Sequence, residues 1–191
     1  AYYAQVEALK LNSKYNVNQN NTAFIGVETK SENYNGTYAP SSANSVSEVS
    51  YFVQNEFKAN SNTTLLAGLR IDDNQEFGTH GTYRLTANHV SQQMPGLIFK
   101  SSIGTGFRAP TLGEMYGSAG NTNLKPEMSF GYDLGFINYM SNKITFGSTY
   151  FMSEIEDAIT YGSPYYNANG ISERDGIETF INFYPNDNAE I

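Results

Sequence analysis

The chain has 191 residues, a formal net charge of −8 and no cysteine. The lack of cysteine excludes disulfides, thiolate metal sites and thiol catalysis, and the acidic balance disfavours nucleic-acid binding, which requires a basic face. The length is sufficient for one domain with a sizeable core. No run of about 18 apolar residues is present, so we expect no transmembrane helix.

A hydrophobic period of two recurs from one end of the chain to the other. In the segment from Met128 to Phe136, for example, large apolar side chains alternate with Ser, Asp and Gly. Such alternation indicates β-strands with two chemically different faces, and the abundance of Tyr and Phe favours strands as well. The pattern predicts nine strands and requires no helix. The predicted strands cover residues 2–14, 22–32, 46–58, 63–72, 82–91, 97–108, 127–140, 143–156 and 172–184.

The predicted connections alternate between short and long. Short ones are at about 59–62, 92–96 and 141–142, with a slightly longer one at 15–21, and long polar ones are at about 33–45, 73–81, 109–126 and 157–171. One end of the sheet should therefore carry tight turns, and the other end should carry large loops.

Two kinds of antiparallel protein show this alternation. A soluble β-sandwich packs one face of each sheet on a core, whereas a transmembrane β-barrel turns one face to lipid and the other to a polar lumen. The long strands, the asymmetric loops and a polar face rich in Gly, Ser and Thr favour the barrel. That face would also carry Arg70, Asp133 and Glu178. A soluble sandwich, for example a carbohydrate-binding module, and a solenoid are the alternatives.

Two short motifs stand on either side of the predicted 109–126 loop. Each contains a proline, which cannot donate a hydrogen bond to a strand ladder and therefore suits a strand end. The first motif consists of Phe107, Arg108, Ala109 and Pro110, and the second, "NTNLKPE", includes Asn121, Asn123, Leu124, Pro126 and Glu127. Further along, Gly176 and Glu178 belong to a Gly-Ile-Glu sequence inside the last predicted strand.

Together these motifs resemble the signature region of TonB-dependent outer-membrane receptors. In that family a strand ends in a Phe-Arg-Ala-Pro box, a loop follows, and an Asn-x-Asn-Leu-x-Pro-Glu box opens the next strand. The Gly-Ile-Glu sequence and an upstream Gly-x-Arg-x-Asp strand around Arg70 also match. The resemblance covers residues 60–184 well and the first 60 residues only by pattern. It implies an all-β fold, an antiparallel transmembrane β-barrel segment with short periplasmic turns and long extracellular loops.

The sequence "DDNQEFGTHGTYR", together with "GTGFRAPTLGEMYGSAGNTNLKPE", is most similar to the cobalamin (vitamin B12) receptor branch of this family. The resemblance implies a transport receptor, not an enzyme, in the outer membrane of a Gram-negative bacterium. Its ligand would be a scarce metal chelate, with cobalamin first and a siderophore second. A surface β-protein for adhesion or phage attachment is an alternative.

The resemblance also implies partners. Family members form a 22-stranded barrel around an N-terminal plug, through which the inner-membrane TonB energy-coupling complex acts. Residues 1–191 would be a partial barrel domain without the plug. We therefore expect contacts with outer-membrane lipid and with a metal-chelate ligand, and none with nucleic acid.

Arg108 is the most conspicuous polar residue of the first motif. By alternation it faces the lumen at the last inward position before the loop, where it could contact ligand or plug. Pairing with Glu114 or Glu127 is the favoured interpretation, because paired charges are common inside barrels. The predicted ligand-contact residues are Arg108, Tyr116, Asn121, Tyr165 and Tyr166. Tyrosines near long loops, which also include Tyr38 and Tyr161, can stack on a planar ligand or form an interfacial girdle.

Asp72, Asp73 and Glu76 form an acidic group that is a candidate metal site. Calcium binds several carboxylate and carbonyl oxygens, and the resemblance to cobalamin receptors implies calcium in outer loops. The spacing in "DDNQE" is irregular, so solvated loop acids are the favoured interpretation. The two histidines, His80 and His89, are not paired at metal-ligand spacing, and we expect no other cofactor.

Overall fold

A computed structural model describes residues 2–36 and 45–185. Within these residues, nine long strands form a single antiparallel sheet in chain order. The long strands are β1 (Tyr2–Asn16), β2 (Asn21–Gly36), β3 (Ser45–Lys58), β4 (Thr63–Asn74), β5 (Gly78–Val90), β6 (Leu97–Arg108), β7 (Glu127–Ser141), β8 (Ile144–Glu156) and β11 (Ile171–Phe183). The other elements are helix α1 (Leu112–Tyr116) and strands β9 (Ile159–Thr160) and β10 (Tyr166–Asn167), which pair with each other.

The nine predicted strands are all present, and their ends differ from the predicted ones by at most four residues. The soluble sandwich is wrong, because no second sheet covers the large apolar side chains that the described strands expose. Residues 37–44, which make up most of the predicted 33–45 loop and include Tyr38, lie outside the described residues. Across the described ranges, no helix has the length and apolar character needed to cross a bilayer.

The long loop predicted at 73–81 is wrong. β4 continues to Asn74 and β5 begins at Gly78, so only three residues connect them. The Asn74 side-chain oxygen accepts hydrogen bonds from the backbone N–H groups of Glu76 at 3.1 Å and Phe77 at 3.2 Å. An asparagine that bonds the backbone two and three residues ahead builds a tight turn. Gly78 then has a φ of 76°, which favours glycine.

Helix α1 lies where the sequence analysis required no helix. The Thr111 hydroxyl accepts a hydrogen bond from the Glu114 N–H at 3.2 Å, and the Glu114 carboxylate accepts one from the Thr111 N–H at 2.8 Å. This reciprocal arrangement is a capping box, whose sequence signature is Thr-x-x-Glu. The signature is present as "TLGE", so the start of this helix could have been predicted.

The register of the sheet gives it two chemically different faces. Ile25, Val53, Leu69 and Tyr83 are successive register partners across β2 to β5, and their side chains are 37% to 61% exposed. We call this side the apolar face. The opposite side, the polar face, carries the row Lys10, Glu28, Ser50, Asp72 and His80 across β1 to β5.

Charged side chains are distributed unequally between the two faces. All nine lysines and arginines of the described strands lie on the polar face, and so do Asp133 and Glu178. The nine cations are Lys10, Lys14, Lys30, Lys58, Arg70, Arg84, Lys100, Arg108 and Arg174. The acidic residues of the apolar face lie toward the strand ends that carry the long loops, at Glu7, Asp73, Glu154, Glu156, Glu173 and Asp175. The apolar face therefore suits a band of lipid, and the polar face suits water or polar protein.

We expect an arginine on the apolar face to be far more disruptive than one on the polar face. Val53 and Gln54 are neighbours in β3 with side chains on opposite faces, and Gln54 lies opposite Gly68. In the intact protein in lipid vesicles, Val53→Arg should lower the free energy of unfolding by about 2–4 kcal/mol, as a lipid-facing arginine does near mid-membrane. Gln54→Arg should cost about 1 kcal/mol or less. Urea titrations measure both values, and equal losses would contradict the assignment of the faces.

Candidate functional site

The segment between β6 and β7 lies across the polar face near its long-loop end. Leu112 and Met115 of α1 pack against Tyr34 of β2 and Val46 of β3, and these four side chains are 2% to 9% exposed. The Leu112 N–H also donates to Glu32 Oε1 at 2.8 Å. This segment is therefore anchored to strands that are distant from β6 and β7 in the sheet.

A cleft of about 280 Å³ lies beneath the crossing segment. Ala109, Pro110 and Thr111 border one side of it, and polar-face side chains of β2, β3 and β4 border the other. Ligand pockets usually have volumes of about 300–1,000 Å³. The volume of the cleft is close to the lower end of that range.

One wall of the cleft lies where two strands separate. The ladder between β5 and β6 stops at the pair Arg84 and Gly104, although both strands continue toward the long loops. Beyond that point Phe107 of β6 stacks on His80 of β5, with ring centroids 4.0 Å apart and 12° between the ring planes. The ring pair lies between the diverging strands, and Phe107 borders the cleft.

Arg70 is fixed beside this cleft by three neighbours. Its Nε lies 2.7 Å from Asp72 Oδ1, its Nη1 lies 3.2 Å from Glu28 Oε2, and its Nη2 donates to Ser50 Oγ at 2.7 Å. Asp72 and Ser50 are 5% and 1% exposed. The Arg70 side chain is partly buried, and a guanidinium with all three nitrogens bonded is held in one position, so Arg70 organises this part of the wall.

Arg108 is engaged in the same way at the end of β6. Its Nε donates to Glu127 Oε2 at 2.6 Å, and its Nη1 lies 3.1 Å from Glu114 Oε2 and 3.2 Å from Glu114 Oε1. The predicted pairing is confirmed, and with both acids rather than one. A direct ligand contact by Arg108 stays a prediction.

The two long loops that follow β6 and β8 are bonded to each other. Asn121 Nδ2 donates to the Tyr165 carbonyl at 2.7 Å, and the Tyr165 N–H donates to the Ala119 carbonyl at 2.8 Å. The Asn121 Oδ1 atom accepts the Asn123 N–H at 2.9 Å. Both ends of the Asn121 amide are therefore used within the protein, where the sequence analysis had predicted a ligand contact.

Asn167 makes the densest set of these bonds, and the sequence analysis missed it. Its Oδ1 accepts the Lys125 N–H at 2.9 Å, and its Nδ2 donates to the carbonyls of Lys125 at 3.0 Å and Asp157 at 2.6 Å. The side chain thus pairs with Lys125 as a neighbouring strand would. Asparagine is common in polar loops, so the sequence around Asn167 contains no signal that identifies this residue.

The predicted tyrosines differ in how much of each side chain is exposed to solvent. Tyr116 is half-buried and packs against the cluster around Leu112. Tyr165 is half-buried and meets Tyr161 edge to face, with ring centroids 5.2 Å apart. Tyr161 and Tyr166 are 75% and 50% exposed. The second loop therefore presents two open aromatic rings, and their contact with a ligand stays a prediction.

The remaining motif residues have structural environments. Pro110 and Leu124 are buried, and Leu124 is 4% exposed. A Cβ atom at Gly176 would lie 3.0 Å from the Phe151 ring, so glycine leaves room for that ring. Glu178 lies opposite Thr149 on the polar face.

The candidate metal site is not assembled by the structure. Asp72 and Asp73 are consecutive in β4 and point to opposite faces. Asp72 is bound to Arg70, Asp73 accepts a hydrogen bond from Thr79, and Glu76 is exposed in the turn. Within residues 2–36 and 45–185, no group of three or more His, Cys, Asp or Glu side chains is arranged to hold a metal ion. Calcium elsewhere in the outer loops is not tested by this arrangement.

The fold and the anchored loops define part of the wall of a β-barrel of the outer-membrane class. A family model described as "TonB dependent receptor-like, beta-barrel" matches residues 2–188. Because the match covers nearly the whole sequence, this chain belongs to the family of TonB-dependent receptor β-barrels.

Solved structures of longer proteins share this fold. For the siderophore receptor PirA from Pseudomonas aeruginosa, the TM-score is 0.81 at 21% identity, with 99% of this chain and 38% of that chain covered. For the copper transporter OprC, the TM-score is 0.80 at 13% identity, with 98% of this chain and 37% of that chain covered. For the FrpB iron transporter from Neisseria meningitidis, the TM-score is 0.77 at 13% identity, with 97% of this chain and 34% of that chain covered. The chain therefore spans little more than a third of each of these proteins.

Removing the Asn167 amide should release the two long loops from each other. Asn167→Ala deletes three hydrogen bonds to Lys125 and Asp157, so the segment around Lys125 should open more often. In the intact receptor, the Lys125 N–H, which donates to Asn167, should exchange with deuterated water about tenfold faster than in the wild type, as expected for a loss of roughly 1–2 kcal/mol of local stability. Asn169→Ala is the matched control, because Asn169 is exposed in the same loop. Equal exchange rates of the Lys125 N–H in the two variants would contradict a role for Asn167 in loop attachment.

Proposed function

We propose that this chain forms part of the barrel wall of a receptor that takes up a metal chelate across the outer membrane of a Gram-negative bacterium. The observation that carries the proposal is the division of the described strands into an apolar face without lysine or arginine and a polar face that holds all nine of their cations. Lipid on one side and a polar lumen on the other account for that division. Family membership supports the same reading.

The proposed transport has three parts. The outer loops, with Tyr161 and Tyr166 exposed on one of them, capture the chelate outside the cell. A plug domain inside the barrel closes the lumen, and the inner-membrane TonB complex acts on that plug. The described wall supplies the lumen surface along which the chelate passes. Its two edge strands, β1 and β11, pair with further strands of the closed barrel, because unpaired strand edges are not tolerated in lipid.

A ferric siderophore is the first candidate ligand, and cobalamin is the second. The siderophore is supported by the names of structurally similar proteins, which include a siderophore receptor and a ferric enterobactin receptor. Cobalamin rests on the similarity of the segment around Arg108 to cobalamin receptors. The exposed tyrosine rings suit either ligand, because both offer flat or aromatic groups for stacking.

Uptake assays distinguish these ligands. In a strain without other siderophore and cobalamin receptors, the intact receptor should allow accumulation of radioactive iron supplied as ferric enterobactin. Accumulation should stop when TonB is deleted, because transport through the plug needs that energy source. The assay is run with and without calcium, and with radioactive cyanocobalamin in parallel.

The outcomes have distinct meanings. Accumulation of cyanocobalamin alone would replace the siderophore by cobalamin as ligand. Accumulation that persists without TonB, or no accumulation of either compound, would contradict the proposed function.

A further inference from the structure

The carboxylate of Glu127 lies between the bases of two outer loops. Its Oε2 accepts the Arg108 Nε–H at 2.6 Å, and its Oε1 accepts the Ile159 N–H at 2.6 Å. Arg108 precedes the loop between β6 and β7, and Ile159 opens the loop between β8 and β11. The Glu127 side chain is only 15% exposed, so water competes weakly for its two oxygens. One carboxylate therefore joins both loops, with one oxygen for each.

The connection continues from Arg108 to the opposite side of the polar face. The second arm of Arg108 binds Glu114, whose Oε2 also accepts the Thr111 N–H at 2.8 Å at the start of α1. In α1, the Leu112 N–H donates to Glu32 of β2 at 2.8 Å. A continuous series of bonds to charged groups thus runs from the second loop, through Glu127 and α1, to β2. Such bonds are shorter and stronger than neutral ones.

This series sets the position of the aromatic rings that the loops present. Tyr161 lies two residues after Ile159, and its ring meets Tyr165, whose backbone is bonded to Asn121 of the other loop. If the Glu127 bonds were absent, the base of the second loop would lose its attachment to β6. The rings would then sample positions in which they no longer meet a ligand together with the first loop.

We propose that Glu127 is a positioning residue that holds the two outer loops in one arrangement and thereby increases the affinity for the chelate. The proposal rests on the proposed function, because it assumes that both loops contact the transported molecule. It assigns no ligand contact to Glu127 itself. Only receptors whose two loops hold this arrangement bind the chelate tightly. The apparent affinity is therefore proportional to the fraction of receptors in that arrangement.

The chemistry of the site makes Glu127→Gln a sharp test. Glutamine has nearly the same size, but it offers a single carbonyl oxygen and an NH₂ group. Arg108 Nε–H and Ile159 N–H are both donors, so the amide can satisfy one of them while its NH₂ group faces the other. Glu56→Gln is the matched control, because Glu56 lies on the same face near the short-turn end of β3.

The first measurement is the distance between the loops. This chain has no cysteine, so, once every cysteine elsewhere in the intact receptor is replaced, Ser118→Cys and Asn169→Cys place one spin label on each loop at exposed positions. In the intact receptor, the distribution of distances between the labels should be narrow for the wild type and for Glu56→Gln. It should be clearly broader for Glu127→Gln. An unchanged distribution in Glu127→Gln would overturn the proposed coupling.

The second measurement separates positioning from general destabilisation. For uptake of ferric enterobactin or cyanocobalamin, whichever the wild type transports, Glu127→Gln should raise KM by about 3- to 10-fold and leave the maximal rate unchanged. The melting temperature of the barrel should also stay the same. Broader distances without a change in KM would overturn the effect on affinity. If the wild type transports neither compound, the proposed function and this effect fail together, and the spin labels still decide whether Glu127 couples the loops.

Discussion

In a wall that faces lipid, every backbone N–H and C=O group must be bonded within the protein. The ladders from β1 to β11 meet most of this constraint by pairing each long strand with the next one in antiparallel register, apart from the parts of β5 and β6 beyond Arg84 and Gly104 and the outer edges of β1 and β11. The same register decides which side chains share a face, because a shift by one residue would exchange the two faces. The position of Arg70, with Glu28, Ser50 and Asp72 around it, follows from this register. The rest of the architecture depends on it as well.

In the loops outside the sheet, hydrogen bonds from polar side chains replace the backbone hydrogen bonds of a strand ladder. The loops after β6 and β8 contain little regular structure, yet they are held by Asn121, Asn167 and Glu127, whose side chains bond to backbone groups of distant residues. Each of these side chains replaces a partner that a neighbouring strand would have supplied. Together with the buried contacts of Leu112, they give the loops a defined position relative to the sheet.

The strands were predictable because a period of two extends over many residues and identifies each strand several times over. The partners of individual site residues were harder to predict, because a single residue belongs to no repeated pattern. The partners of Arg108 could be named from the proximity of two acids to the motif, but the three bonds of Asn167 join residues that are far apart in sequence and leave no local pattern. The 73–81 segment misled for a different reason, since polar composition is shared by loops and by tight turns such as the one at Asn74. The capping box in "TLGE" is a local pattern, so the start of α1 is predictable from the sequence.

The three-residue turn between β4 and β5 has a consequence for access. The segments after β6 and β8 are several times longer than this turn, and the first of them folds back over the polar face, where Leu112 packs against Tyr34 and Val46. A solute that approaches the polar face at this turn therefore meets the underside of the crossing segment, because Asn74 is 6% exposed and both Asn74 and Phe77 line the cleft beneath that segment.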